Sequence, residues 1–161
     1  MTTTAALHTP TDLVAVEWIR TIPGLVADGV ATQLPVKDEA SWAVNGFIVV
    51  PVTVGGSPQD QAPVHRPVCQ VECWGTVPGS DRLPWNIPNQ LALQIMAGCW
   101  DRTTFGRPLT IRSGSVAYPT AWVKSAKCLT EPRRVWSDVG DFAGYILDLL
   151  LVWVAAGEVI P

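Results

Sequence analysis

A glycine- and proline-rich break between two apolar segments, Gly46 to Val54 and Val64 to Gly75, constrains this chain more than any other feature. The first segment, Gly46-Phe47-Ile48-Val49-Val50-Pro51-Val52-Thr53-Val54, is dense in β-branched residues and reads as a strand. Pro51 cannot donate to a ladder, so this strand lies at a sheet edge or bends there. Gly55-Gly56-Ser57-Pro58 and the polar Gln59-Asp60-Gln61 read as a protruding turn. The second segment alternates from Val68 onwards. Cys69, Val71 and Cys73 fall on one face, and Gln70, Glu72 and Trp74 on the other. One face is therefore core, and the other is wet or meets a partner.

Two helices are expected to cover the hairpin. Thr11 or Asp12 caps a helix in which Leu13, Val16 and Trp18 or Ile19 share a side, with Glu17 and Arg20 facing water. Pro23-Gly24 interrupts it, and Leu25 to Val30 resumes it briefly before Leu34-Pro35. Residues Val36 to Asn45 read as a connection, and Thr76 to Trp85 as a turn-rich loop. Asn86 is a capping residue for a second helix, with Pro88 in its first turn. Leu91, Ile95 and Cys99 repeat at intervals of four, and Leu93, Met96 and Trp100 widen the apolar stripe.

Beyond it, Leu109 to Arg112 reads as a short strand and Ala121 to Leu129 as another, in which Lys124 and Lys127 do not alternate cleanly. Glu131 to Asp138 reads as a polar loop. The last strand, Tyr145 to Val154, is apolar on both faces except at Asp148, the pattern of a central strand covered on both sides. Asp148 then needs a partner or a position at a rim, because an unpaired buried carboxylate is costly. The order of elements gives an α/β (α+β) chain. Residues 1–10 form a flexible N-terminal arm, and residues 11–161 form one domain with a mixed or antiparallel sheet packed by an N-terminal and a central helix.

At 161 residues the chain is long enough to bury a core without a metal or disulfide staple. Its four cysteines, Cys69, Cys73, Cys99 and Cys128, read as buried free thiols. On a strand, Cys69 and Cys73 stand about 13 Å apart, too far to share one ion. Charged residues make up 16% of the chain against roughly 25% in an average soluble domain. With eight Trp and fourteen Pro, that deficit points to apolar surface presented to other subunits. The net charge of -3 supplies no basic footprint for wrapping nucleic acid. The N-terminus lacks the pattern of a secretion signal, and Leu149 to Ala156 falls far short of the roughly 20 residues that span a bilayer. A soluble, cytoplasmically made protein is expected.

Catalytic chemistry finds no foothold in the sequence. His8 lies in the arm and His65 near a turn, and neither a nucleophile elbow nor a phosphate loop nor a dinucleotide fingerprint occurs. The carboxylate pairs Asp38-Glu39 and Asp138/Asp141 read as solvated loop charge. No cofactor and no metal are expected. The adjacent Arg133 and Arg134 suit carboxylates on a neighbouring subunit, and the turn-flanking Trp74, Trp85 and Trp136 suit interface anchors.

The sequence of features has a family likeness. The short N-terminal helix, Leu34-Pro35, Phe47-Ile48-Val49-Val50, Gly55-Gly56, Asp60, Cys73-Trp74-Gly75, the Leu91 to Trp100 helix and Glu131-Pro132 before a closing strand appear in this order. Together they resemble the tail terminator (tail completion) proteins of long-tailed bacteriophages, particularly those of actinobacteria. The resemblance implies a virion protein of the siphovirus neck, assembled in the host cytoplasm, whose copies close into a hexameric ring. Such a ring caps the tail tube protein, ends tail polymerisation and joins the head–tail connector, with DNA passing unspecifically through its lumen. It implies no catalytic residues. The chain departs from the family in its Trp content and in longer loops at Val77 to Trp85 and Thr103 to Pro119. Another neck or tail-tube protein is the alternative within that class. A small ligand-binding α/β domain is the alternative outside it.

Overall fold

A computed structural model describes residues 8–35, 42–57, 63–135 and 142–157. The first helix, α1, spans Thr11–Arg20 and turns Val14, Ala15, Val16, Trp18 and Ile19 inward. Its N-cap is Pro10, so Thr11 is the first helical residue; Asp12 in the first turn favours the helix dipole. At the other end, Thr21 donates from both its amide and its hydroxyl to the Trp18 carbonyl and closes the helix before Pro23. Glu17 and Arg20 are half-buried. Arg20 pairs with Glu17 at 2.7 Å, and its guanidinium also donates to the Val30 carbonyl at 2.7 and 3.2 Å. The expected helical continuation is instead a single 3-10 turn, Ala27–Gly29, leading into the short edge strand β1, Val30–Ala31. Thr9, inside the expected arm, is buried and donates to the Pro119 carbonyl at 3.0 Å.

Strand β2 spans Phe47–Ser57 and pairs with β3, Arg66–Thr76. Alternation holds along β3: Cys69, Val71 and Cys73 are fully buried, while Gln70, Glu72 and Trp74 are half-buried on the reverse face. Along β2 it is broken twice. Val50 and Pro51 together oppose one residue of β3, and Val54 is an extra residue between Thr53 and Gly55. Pro51 thus sits at a bulge, beyond the reach of β1, which pairs only with Ile48 and Val49. Gly55-Gly56 is not the turn: both glycines lie within β2, opposite Val68 and Pro67. Gly56 has φ +102°, and a side chain there would run into the Arg66 carbonyl and Pro67. The glycine pair serves a bulged edge rather than a reversal.

The second helix, α2, spans Asn86–Trp100. Asn86 is its first residue rather than its cap, and Pro88 falls in the first turn, where no intrahelical partner exists for an amide. The buried stripe is Pro88, Leu91, Ala92, Ile95, Gly98 and Cys99. It is narrower than the sequence suggests: Leu93 and Trp100 point outward, Trp100 with 84% of its surface exposed. The strand expected at Leu109 to Arg112 is reduced to β4, Arg112–Ser113, paired with β5, Val116–Ala117, while Leu109 bridges Ala121.

Strand β6, Ala121–Cys128, carries a bulge at Lys124, between the pairs Val123–Trp153 and Ser125–Val152. This explains its irregular pattern. Ala121 and Val123 face the core before the bulge, and Ala126 and Cys128 pack against it afterwards. The segment expected as a loop after Glu131 contains strand β7, Arg133–Val135, whose backbone finds partners at Gly144, Tyr145 and Ile146. The last strand, β8, runs from Phe142 to Ala155.

These strands form a mixed sheet in the order β1-β2-β3-β8-β6, with β7 also on β8; only β1–β2 is parallel. The result is one α+β domain. Both helices pack on the same face, where Val14, Trp18, Ile48, Val71, Ile95, Leu147, Leu149, Leu151 and Trp153 make the main core. Strand β8 is central, as its composition suggests, but the described helices cover it on one side only. Ala143, Leu147, Leu149, Leu151 and Trp153 are buried beneath the helices, whereas Ile146, Asp148, Leu150, Val152 and Val154 are half-buried on the reverse face. At one end that face carries a small cluster of Trp42, Phe47 and Val49 with Leu34, Trp74 and Phe142. Elsewhere no described helix lies over it.

Candidate functional site: the open face of the sheet

The register assembles the open face row by row. Val68 lies beside Leu150, with Lys127 on its far side; Gln70 lies between Val52 and Asp148; Glu72 lies beside Ile146; Trp122 lies beside Val154. The apolar members, Val52, Val68, Trp122, Ile146, Leu150, Val152 and Val154, come from four strands, so the surface spans the sheet. Val52 is 45% exposed, and it stands on the part of β2 whose outer edge has no described strand beside it. An uncovered sheet face and an uncovered edge are both surfaces that a second chain can complete.

Polar groups on this face satisfy one another. Gln70 Nε2 donates to Glu72 Oε1 at 2.8 Å and Trp74 Nε1 to Glu72 Oε2 at 3.1 Å, a chain of three alternate residues along β3. Asp148 meets Arg133, whose Nη1 and Nη2 both stand 3.4 Å from Oδ2. Thr130 Oγ1 accepts from Arg133 Nη1 and from the Asp148 amide, each at 3.1 Å. The carboxylate inside the apolar run therefore has the partner that its position demands. Its side chain is 21% exposed and that of Arg133 51%, so the pair is partly solvated.

The two arginines do not act side by side. Consecutive residues of a strand point to opposite faces, so Arg133 reaches Asp148 on the open face while Arg134 turns to the helix side. There its guanidinium lies 4.7 Å from the Trp85 ring centroid, and Nε donates to Tyr145 Oη at 3.1 Å. Trp85 also meets Tyr145 edge to face at 6.1 Å. Of the residues singled out from sequence, Trp74 and Arg133 stand on the open face, Trp85 and Arg134 share a separate cluster, and Trp136 lies outside the described residues. Both expected carboxylate pairs, Asp38-Glu39 and Asp138/Asp141, lie outside them too. Trp74 packs its ring across Gly144, where an added Cβ would come within 2.7 Å of it. Replacing Arg133 by alanine is expected to lower monomer stability by no more than about 1 kcal/mol, given its exposure. A thermal melt checks this, and a larger loss would mark Asp148 as more deeply desolvated than its surroundings indicate.

The sequence places Gln70, Glu72 and Trp74 on this face, but does not single out its apolar members Val52, Val68, Trp122, Ile146, Leu150, Val152 and Val154. The apolar residues on both faces of β8 are the signal, but by pattern alone a face covered within the chain and one left for a partner look the same. All four cysteines are free. Burial pushes the Cys69 thiol up to about 11 and raises that of Cys73 further. The Cys99 and Cys128 sulfurs stand 3.8 Å apart. Among the described residues no group of three or more His, Cys, Asp or Glu side chains is arranged to hold a metal ion, and no helix is long and apolar enough to cross a membrane. A cleft of about 320 Å³ beside α2 is lined by Asn45, Asn86, Gln90 and Gln94 with Val26 and Leu91, and among the described residues no titratable side chain lines it.

No protein-family model matches the chain, and no curated protein does. One solved structure, of a protein carrying no functional description, aligns over 94% of this chain and 99% of its own at 16% identity, with a TM-score of 0.34. A likeness at that level carries no argument about fold or function.

Proposed function

We propose that the chain is a structural subunit of a long-tailed bacteriophage, a tail terminator whose copies close into a ring on the end of the tail tube. The open face of the sheet carries this reading: a broad, half-buried apolar surface over most of which no described helix lies, on a chain with 16% charged residues. In an isolated subunit that surface is a liability; between subunits of a ring it becomes buried contact. The face is heterogeneous, with Arg133–Asp148 and Glu72 at fixed places among the aliphatic side chains, as specificity of docking requires. The outer edge of β2 from Val52 onward adds main-chain groups that a neighbouring strand can pair. The sequence resemblance supplies the rest of the proposal: a six-membered ring, the tube protein on one side, the head connector on the other, DNA in the lumen, and a place in the virion.

Leu150→Asp places a carboxylate at the middle of the apolar row, between Val68 and Lys127. It is expected to weaken self-association by roughly a hundredfold, the effect of losing about 3 kcal/mol at the centre of an interface. Sedimentation or light scattering across a concentration series measures this. Unchanged association by a variant that keeps its fold by circular dichroism would remove the open face from the proposal.

A further inference from the structure

The Cys99–Cys128 contact belongs neither to the open face nor to the proposed ring. The two residues are 29 positions apart in sequence and arrive together by separate routes. Cys99 ends the buried stripe of α2. Cys128 would stand on the open face if β6 alternated without interruption; the bulge at Lys124 moves it to the helix side, where it packs against the core. The sulfur of a half-buried cysteine thus lies directly against that of a buried one. Cys69 and Cys73, by contrast, are both fully buried in β3.

We propose that Cys99 and Cys128 form a reversible dithiol–disulfide site, oxidised by low-molecular-weight disulfides such as oxidised glutathione to an intrachain bond that staples α2 to β6. The inference rests on the contact and the burial, and stands whether or not the chain forms a ring. Roles follow from the asymmetry of the pair. The hydrogen bond shared by the two sulfurs holds the Cys128 thiol below its usual range and, together with burial, the Cys99 thiol above it. Cys128 is also the more accessible residue of the two, so it is the attacking group. Its thiolate attacks one sulfur of oxidised glutathione, forming a mixed disulfide and expelling one glutathione thiolate, which takes up a proton. Cys99 then gives up its proton and attacks the Cys128 sulfur, expelling the second glutathione. Two protein thiols are oxidised, one glutathione disulfide is reduced to two thiols, and the sulfurs close from 3.8 Å to about 2 Å. Closing a loop of this length restrains the unfolded chain and raises the melting temperature.

The test treats the reduced full-length chain with oxidised glutathione at pH 8 and follows intact mass, tryptic peptides and the thermal melt. The expected product has lost two hydrogens, yields one cross-linked peptide pair containing Cys99 and Cys128, and melts on the order of 5–10 °C higher, reversibly with reductant. Cys99→Ser is expected to stop at a persistent glutathione adduct on Cys128, and Cys128→Ser to leave Cys99 unmodified. A wild-type chain that does not react, ends as a glutathione adduct, or links either cysteine to Cys69 or Cys73 overturns the proposal. The wild-type peptide map decides the matter even if a variant fails to fold.

Discussion

Trp153→Ala is expected to destabilise the domain by about 3–5 kcal/mol, the range for emptying a buried aromatic site. Trp153 is 1% exposed on the core face of β8, pairs with Val123 of β6, and stacks on the His65 ring at 4.0 Å. His65 and Trp153 also exchange both backbone hydrogen bonds, at 2.8 and 3.0 Å, so the indole sits where the start of β3 meets the end of β8. Removing it opens a cavity between elements that cannot easily collapse. Trp153→Phe should cost much less, because the buried Nε1 has no hydrogen-bond partner among the described residues to lose. Thermal melts separate the two: a fall of roughly 6–20 °C is expected for alanine, at about 2–4 °C per kcal/mol. Equal losses for both substitutions would mean that the indole N–H is satisfied after all and contributes to the core.

Gly46→Ala should be nearly as damaging despite adding only a methyl group. Gly46 has φ +72°, and a Cβ there would stand 2.7 Å from the Trp74 carbonyl, 2.7 Å from Ile87 Cγ2 and 2.8 Å from Leu91 Cδ1. The left-handed backbone alone costs a side chain about 1–2 kcal/mol. Overpacking against α2 adds about 1–3 kcal/mol, so a total of roughly 2–5 kcal/mol is expected. Gly46 is the point at which the chain passes under the start of α2 into β2, and the Gly46 amide donates to the Trp42 carbonyl at 2.7 Å. Denaturant unfolding measures the loss. A variant as stable as the parent would show that α2 can move away from the sheet there without cost.

Local pattern found much of the fold, because it reports the face on which a side chain lies. Cys69, Val71 and Cys73 mark the core side of β3, and Leu91, Ile95 and Cys99 mark that of α2. The reading fails where one inserted residue changes the face. Pro51 is visible as a disturbance, and its bulge sets the face of Thr53; Val54 looks ordinary, and Lys124 shows only as an imperfect alternation, yet the bulge there decides where Cys128 points. Gly55-Gly56 resembles a turn because glycine suits both a reversal and the close approach of two strands, and local sequence does not separate them. Arg133 to Val135 becomes a strand through its partner β8 rather than through its own propensity.

The candidate interface was legible only as a deficit. Too few charges implied an apolar surface, yet its position depended on both helices choosing the same face of the sheet, a tertiary fact with no local signature. For the same reason Arg133 and Arg134 read as a pair while the strand sends them to opposite sides. The contact between Cys99 and Cys128 required a bulge and a helix packing angle together.

The central claim is that copies of this chain complete one another across the open face of the sheet. The most direct test is light scattering of the purified protein, alone and mixed with phage tail tubes, followed by imaging of the particles. The account predicts a closed ring with an open centre, seated at tube ends, and its loss in Leu150→Asp. A protein that stays monomeric in both conditions and ignores tube ends would contradict it.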